Sequence, residues 1–283
     1  MTEVPPWCEF FDADAYEAFC EEVDDAAAAF GADGQDLSYG SLELSSGCRG
    51  ECPAFPLDHL ARACHERPRG EWADLCFRQV DEWTVAGAQA RWLERASFDE
   101  VRERLGVHLD NGQRHWDGTT RDDPREPFRS PLADGLWIGL WVADVPGAHD
   151  DEPEVDVQVH NAAARAWGVG PDDLVRIALD NVRRDGPPAW TEVRAGPVTL
   201  LEGWGSDASS WALLLDEALP ETAGGALVGV PGRSQLIVCL DEGGETGQVM
   251  RDRVRDVHAK TEVLRTVADR VYRYRRGGSF EAV

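Results

Sequence analysis

Hydrophobic positions recur along this chain at two periods, and the changes of period mark its organisation. Over residues 11–30, Phe19, Val23, Ala26, Ala27 and Phe30 fall three and four apart, which predicts an amphipathic helix stopped at Gly31. Asp12, Asp14 and Glu17 stand near its first turn, where the helix dipole favours carboxylates. A short strand is expected near 37–44. Pro56 suits the first position of a helix whose Leu57, Leu60, Ala61 and Cys64 share a face and which ends at Arg67–Pro68. Trp72, Leu75, Cys76, Gln79, Val80 and Trp83 trace another helical stripe. Ser97-Phe98-Asp99-Glu100 is a capping box, expected to open a short helix closed by Gly106.

Residues 108–131 hold Gly, Pro, Asp and Arg with little periodicity and read as a loop or linker. Beyond them, Leu136–Ala143 has the aromatic and β-branched content of a buried strand. A helix opens at Pro171 with Leu174, Ile177, Ala178 and Val182 on one face. Strands are expected at 190–195, 198–203, 226–230 and 235–240, with a helix from Asp207 to Leu219 between the pairs. A last stripe, Val254, Val257, Thr261, Leu264, Val267 or Ala268, Val271 and Tyr274, predicts a long C-terminal helix stopped by Gly277-Gly278. The expected fold is therefore α+β. It has a helix-rich region over 1–107, the linker, and a C-terminal domain over 132–283 with a mixed, mainly antiparallel sheet and packed helices.

Charge changes the picture of partners. The chain carries 28 Lys and Arg against 53 Asp and Glu, a net −25 over 283 residues. Such a surface repels nucleic acid and anionic lipid, so neither is an expected partner. Residues 251–276 reverse the sign, with nine basic and four acidic side chains, and their helix is expected to dock on the acidic body. Nearly all the basic residues are arginine, Lys260 being the one lysine, as in a GC-rich, actinobacteria-like genome. Residues 1–30 hold no Lys or Arg, the reverse of a secretory leader, and the longest apolar run is too short to span a bilayer. With seven cysteines, this predicts a cytoplasmic protein with reduced thiols.

The order of motifs in the second half carries a resemblance. Leu136–Pro146 (LWIGLWVADVP) precedes Trp167-Gly168-Val169 and Asp172–Asn181 (DDLVRIALDN). Then come Asp207-Ala208-Ser209, Leu213–Leu215 and Val228–Arg233 (VGVPGR), leading into Gln235–Leu240. This order resembles the YtpQ-like family of bacterial cytoplasmic proteins of unknown function, mainly over residues 130–275. Two positions depart from that pattern: Val182 follows Asn181 where the family has Leu, and Ser234 stands where it has Asp. The resemblance implies a fold and a compartment, and no activity.

Three constellations bear on chemistry. Cys48 and Cys52, with Cys64 or His65, are candidate zinc ligands, although Cys64 and His65 point about 100° apart on a helix and Cys64 lies on the apolar face. Asp207, Ser209 and Arg233 are catalytic candidates if a helix start and a strand entry meet. Against this, no His lies in 161–257 to serve as the base of a serine nucleophile, and Asp before a helix is ordinarily a cap. Trp137 and Trp141, evenly spaced on a strand, share a face and with Trp204 and Trp211 are candidates for a ligand pocket, against core packing as the ordinary use of tryptophan. No nucleophile elbow, phosphate-cradling loop or dinucleotide fingerprint occurs, so no cofactor is expected. The function expected is that of an accessory protein binding a protein partner or small ligand, of immunity or regulatory type. The alternative is an enzyme with a polar cleft around Asp207, Ser209 and Arg233.

Overall fold

A computed structural model describes residues 4–31, 37, 40–43, 54–112, 123–124, 126–146, 155–205, 208–240, 246–261 and 266–283. The chain divides into two compact units. The first comprises Met1–Arg95, His115–Glu126 and Val145–Val157; the second comprises Ala96–Arg114, Pro127–Asp144 and Gln158–Val283. The fold is α+β, with helices and antiparallel sheets.

In the first unit, helix α1 (Ala13–Ala29) starts where the Asp12 carboxylate accepts the Ala15 N–H at 2.7 Å. Its Tyr16, Phe19 and Val23 are buried with Leu57, Leu60 and Cys64 around α2 (Asp58–His65), and with Trp72, Cys76 and Val80 of α3 (Trp72–Arg95). Strands β1 (Ser41–Glu43) and β2 (Ala54–Pro56) pair antiparallel. Pro56 thus stays in the ladder opposite Ser41, and α2 begins two residues later than the expected proline start.

The second unit opens with the Ser97 capping box, whose main-chain N–H donates to the Glu100 carboxylate at 2.7 Å above α4 (Phe98–Val101). Gly106 does not close a helix. It lies in strand β3 (Leu105–Asp110), which pairs with β5 (Leu136–Val145); β5 in turn pairs with β4 (Arg129–Ala133). Strands therefore occupy both ends of the stretch read as a linker. The chain continues through β6 (Val155–Gln158), α5 (Asn161–Ala166) and α6 (Pro171–Asp185). Along its outer edge β3 is capped by side chains. The Asn181 amide donates to the Leu105 carbonyl at 2.7 Å, and the Ser210 hydroxyl donates to that of Val107.

A six-stranded antiparallel sheet follows. It is built from β7 (Ala189–Ala195), β8 (Val198–Trp204), β9 (Ala226–Gly232), β10 (Gln235–Cys239), β11 (Val271–Arg275) and β12 (Ser279–Ala282), in the order β12-β11-β9-β10-β8-β7. Between β8 and β9, Ala208–Leu214 is a 3₁₀ segment leading to the single turn α7 (Leu215–Ala218), where one continuous helix is expected. Helix α8 (Thr246–Lys260) lays Met250, Val254 and Val257 on Val198, Leu200, Leu227, Ile237 and Val271. It docks closely: a Cβ on Gly229 would stand 2.2 Å from Val254 Cγ2.

The long C-terminal helix is corrected by this architecture. Helix α8 ends at Lys260, and Val271–Arg275 is a strand. Val271, Tyr272 and Tyr274 are β-branched or aromatic, and Arg273 and Arg275 alternate with the tyrosines, which is strand chemistry. Gly277 and Gly278, both at positive φ, turn a β-hairpin into β12 and stop no helix. Leu264 lies outside the described residues.

Candidate functional site

The sheet formed by β3, β5 and β4 has two unlike faces. Antiparallel register places His108 opposite Gly139, Asp110 opposite Trp137, Gly106 opposite Trp141, and Arg129 opposite Gly139. Alternation then puts Leu105, Val107, Leu109, Leu140 and Val142 on one face, all buried. Gly106, His108, Asp110, Arg129, Trp137 and Trp141 share the other. On that face three rings lie over glycines: a Cβ would fall 2.3 Å from the Trp141 indole at Gly106, 2.5 Å from His108 Nε2 at Gly139, and 2.1 Å from the Trp137 indole at Gly112.

Asp110 is the centre of the polar group. It exposes 6% of its side chain, as does His108, and Arg129 exposes 11%. Its carboxylate accepts the Gly112 N–H at 2.6 Å and an Arg129 Nη2 hydrogen bond at 3.5 Å, with Arg129 Nε 3.3 Å away. Arg233 Nη2 approaches to 3.7 Å and His108 Nε2 to 3.9 Å. Burial alone would raise the Asp110 carboxyl. The neighbouring imidazole, the Arg129 guanidinium and the Gly112 N–H overcome it and hold the group well below the usual carboxylate range. Burial pushes His108 down, aided by the two guanidinium groups and opposed by Asp110. The site thus presents an ionised carboxylate, a neutral imidazole and two arginine cations. His108 Nε2 has no hydrogen-bond partner among the described residues.

Arg233 arrives from the turn between β9 and β10, and its carbonyl accepts the Ser209 N–H at 3.1 Å. The helix start and the strand entry do meet there, through the main chain. The Ser209 hydroxyl is buried with no partner among the described residues, and Asp207 lies outside them. Trp137 and Trp141 share the polar face half-buried; Trp211 is buried in the 3₁₀ segment and Trp204 is 45% exposed at the end of β8. Of the metal candidates, Cys48 and Cys52 lie outside the described residues. Cys64 is buried with its sulfur 4.0 Å from that of Cys76, while His65 packs on the Phe10 and Phe11 rings. Among the described residues no group of three or more His, Cys, Asp and Glu is placed to hold a metal ion.

Sequence reasoning passed over His108, Asp110 and Arg129, all inside the stretch read as a linker. The signal that locates the first two is the alternation Val107-His108-Leu109-Asp110, a half-buried strand pattern. No protein-family model, curated protein or solved structure matches the chain. Among the described residues, no helix is long and apolar enough to cross a membrane.

Proposed function

We propose that this is a cytoplasmic accessory protein, of regulatory or immunity type, that binds a small acidic ligand on the His108–Asp110–Arg129 face. The observation that carries the reading is a buried imidazole nitrogen with no hydrogen-bond partner among the described residues, set beside two guanidinium groups that converge on one carboxylate. Asp110 fixes the arginine planes, and a planar guanidinium suits carboxylate or phosphate groups. Arg233, 36% exposed, stands where a ligand from solvent reaches it. Trp137 and Trp141 add apolar walls on the same face, favouring a ligand that joins an acidic group to an apolar or aromatic body. The net −25 supports a small acid over a polyanion. The resemblance to the YtpQ-like family supports the cytoplasmic setting.

Native mass spectrometry of protein from its own host, followed by calorimetry with aromatic carboxylates and phosphates, tests the reading. A bound acid should lose at least about tenfold in affinity in Arg129→Gln and in Arg233→Gln, since a charge-assisted hydrogen bond contributes about 1.5–3 kcal/mol. A neutral ligand, or affinity unchanged in both variants, would refute it. One observation favours an enzyme instead: a neutral, buried His108 beside an ionised Asp110 has the protonation states of a general base and its orienting partner. In that case His108→Gln abolishes turnover while ligand binding persists.

A further inference from the structure

A second feature stands apart from the polar face, in the core of the first unit. Cys64, in the last turn of α2, and Cys76, on α3, are both fully buried, and their sulfur atoms face each other at 4.0 Å. An isolated core cysteine is an apolar filler. Two from separate helices with sulfurs in contact are placed as a bond-forming pair, since a disulfide requires the sulfurs to close to about 2.05 Å.

We propose that Cys64 and Cys76 form a peroxide-responsive pair that closes to a reversible disulfide. The Cys64 thiolate attacks one oxygen of hydrogen peroxide, breaking the O–O bond. This gives a Cys64 sulfenic acid and hydroxide, which takes the proton the thiol released. The Cys76 sulfur then attacks the Cys64 sulfur, the S–S bond forms, and the hydroxyl leaves with the Cys76 proton as a second water. Two thiols are oxidised and one peroxide is reduced to two waters. The hydrogen bond the two sulfurs share lowers the Cys64 thiol against burial, while the same bond and burial push Cys76 up, and we assign the attack to Cys64. Hydrogen peroxide is small enough to reach the buried pair through local opening of the eight-residue α2.

The test exposes the folded full-length chain to hydrogen peroxide, quenches it, alkylates it under denaturing conditions and maps the peptides. The expected result is a cross-link between Cys64 and Cys76, a mass lower by two hydrogen atoms, and reversal by dithiothreitol. Cys76→Ser should accumulate a dimedone-reactive Cys64, whereas Cys64→Ser should leave Cys76 unlabelled. Both thiols alkylated while added free cysteine is consumed, or either one bonded to a different cysteine, would overturn the proposal. Should the serine variants fail to fold, the wild-type map decides alone.

Discussion

Two buried carboxylates in the second unit sit on sheets of opposite design. Glu202, on β8, is 3% exposed and receives the Arg253 guanidinium in a fork, Nε to Oε1 at 2.6 Å and Nη2 to Oε2 at 3.0 Å. The pair lies beside the apolar contact of α8 with the six-stranded sheet. Asp110 is nearly as buried, yet its charged neighbours stand at 3.3–3.9 Å. One arrangement is short; the other is loose and ends in an imidazole nitrogen with no hydrogen-bond partner among the described residues. Burial of charge alone therefore marks no site, and looseness beside an unsatisfied group is the better signal.

The largest way to probe this contrast is Glu202→Ala. Removing Glu202 leaves the Arg253 guanidinium of α8 without its forked partner and should cost about 2–4 kcal/mol in urea unfolding, less than for a fully enclosed pair because Arg253 is 29% exposed. A loss below about 1 kcal/mol would erase the distinction. Next comes Gly229→Ala, which forces a methyl group into Val254 and should destabilise by about 1–3 kcal/mol, with Val254→Ala in the same chain recovering part of it. Asn181→Ala strips the cap from the Leu105 carbonyl on the β3 edge and should cost about 1 kcal/mol.

The smallest effect is one of slope with pH. Because folding lowers the affinity of His108 for a proton, the unfolded chain takes up more protons below about pH 6.5, so stability falls from there as pH decreases. His108→Gln should flatten the stability profile below about pH 6.5. Asp110, held down in the folded state, contributes above its unfolded value of about 3.9 and loses that contribution as acid titrates it. Asp110→Asn should therefore remove the fall at the acid end and, by taking away the carboxylate that opposes the lowering of His108, extend the His108 slope to lower pH.

Much of the fold was legible in local patterns. The helices around Phe19, Trp72 and Leu174, the Ser97 capping box and the paired strands from 190 to 240 follow from periodicity and caps. The C-terminus was misleading because Val271 and Tyr274 continue a spacing of three while Val271–Arg275 also alternates as a strand. Pairing with β9 and β12 decides between the two, and neither partner is local. Half of the site was hidden for a similar reason. Arg233 is visible as a cation in a turn, but the carboxylate it approaches lies 123 positions earlier, in a segment rich in Gly and Pro. The rings over Gly106, Gly112 and Gly139 also need the register of β3 on β5 before they mean anything.

Those ring-over-glycine contacts guard the accuracy of folding. A slip of one residue between β3 and β5 is excluded by the apolar face. A slip of two would keep every side chain on its proper side, and the apolar pattern alone would tolerate it. It would, however, set His108 opposite Trp137 or Trp141 and leave Gly106 facing Gly139 or Ala143, so that ring meets ring and gap meets gap. Bulk and absence of bulk alternate along the two strands like the cuts of a key, and only one alignment closes them.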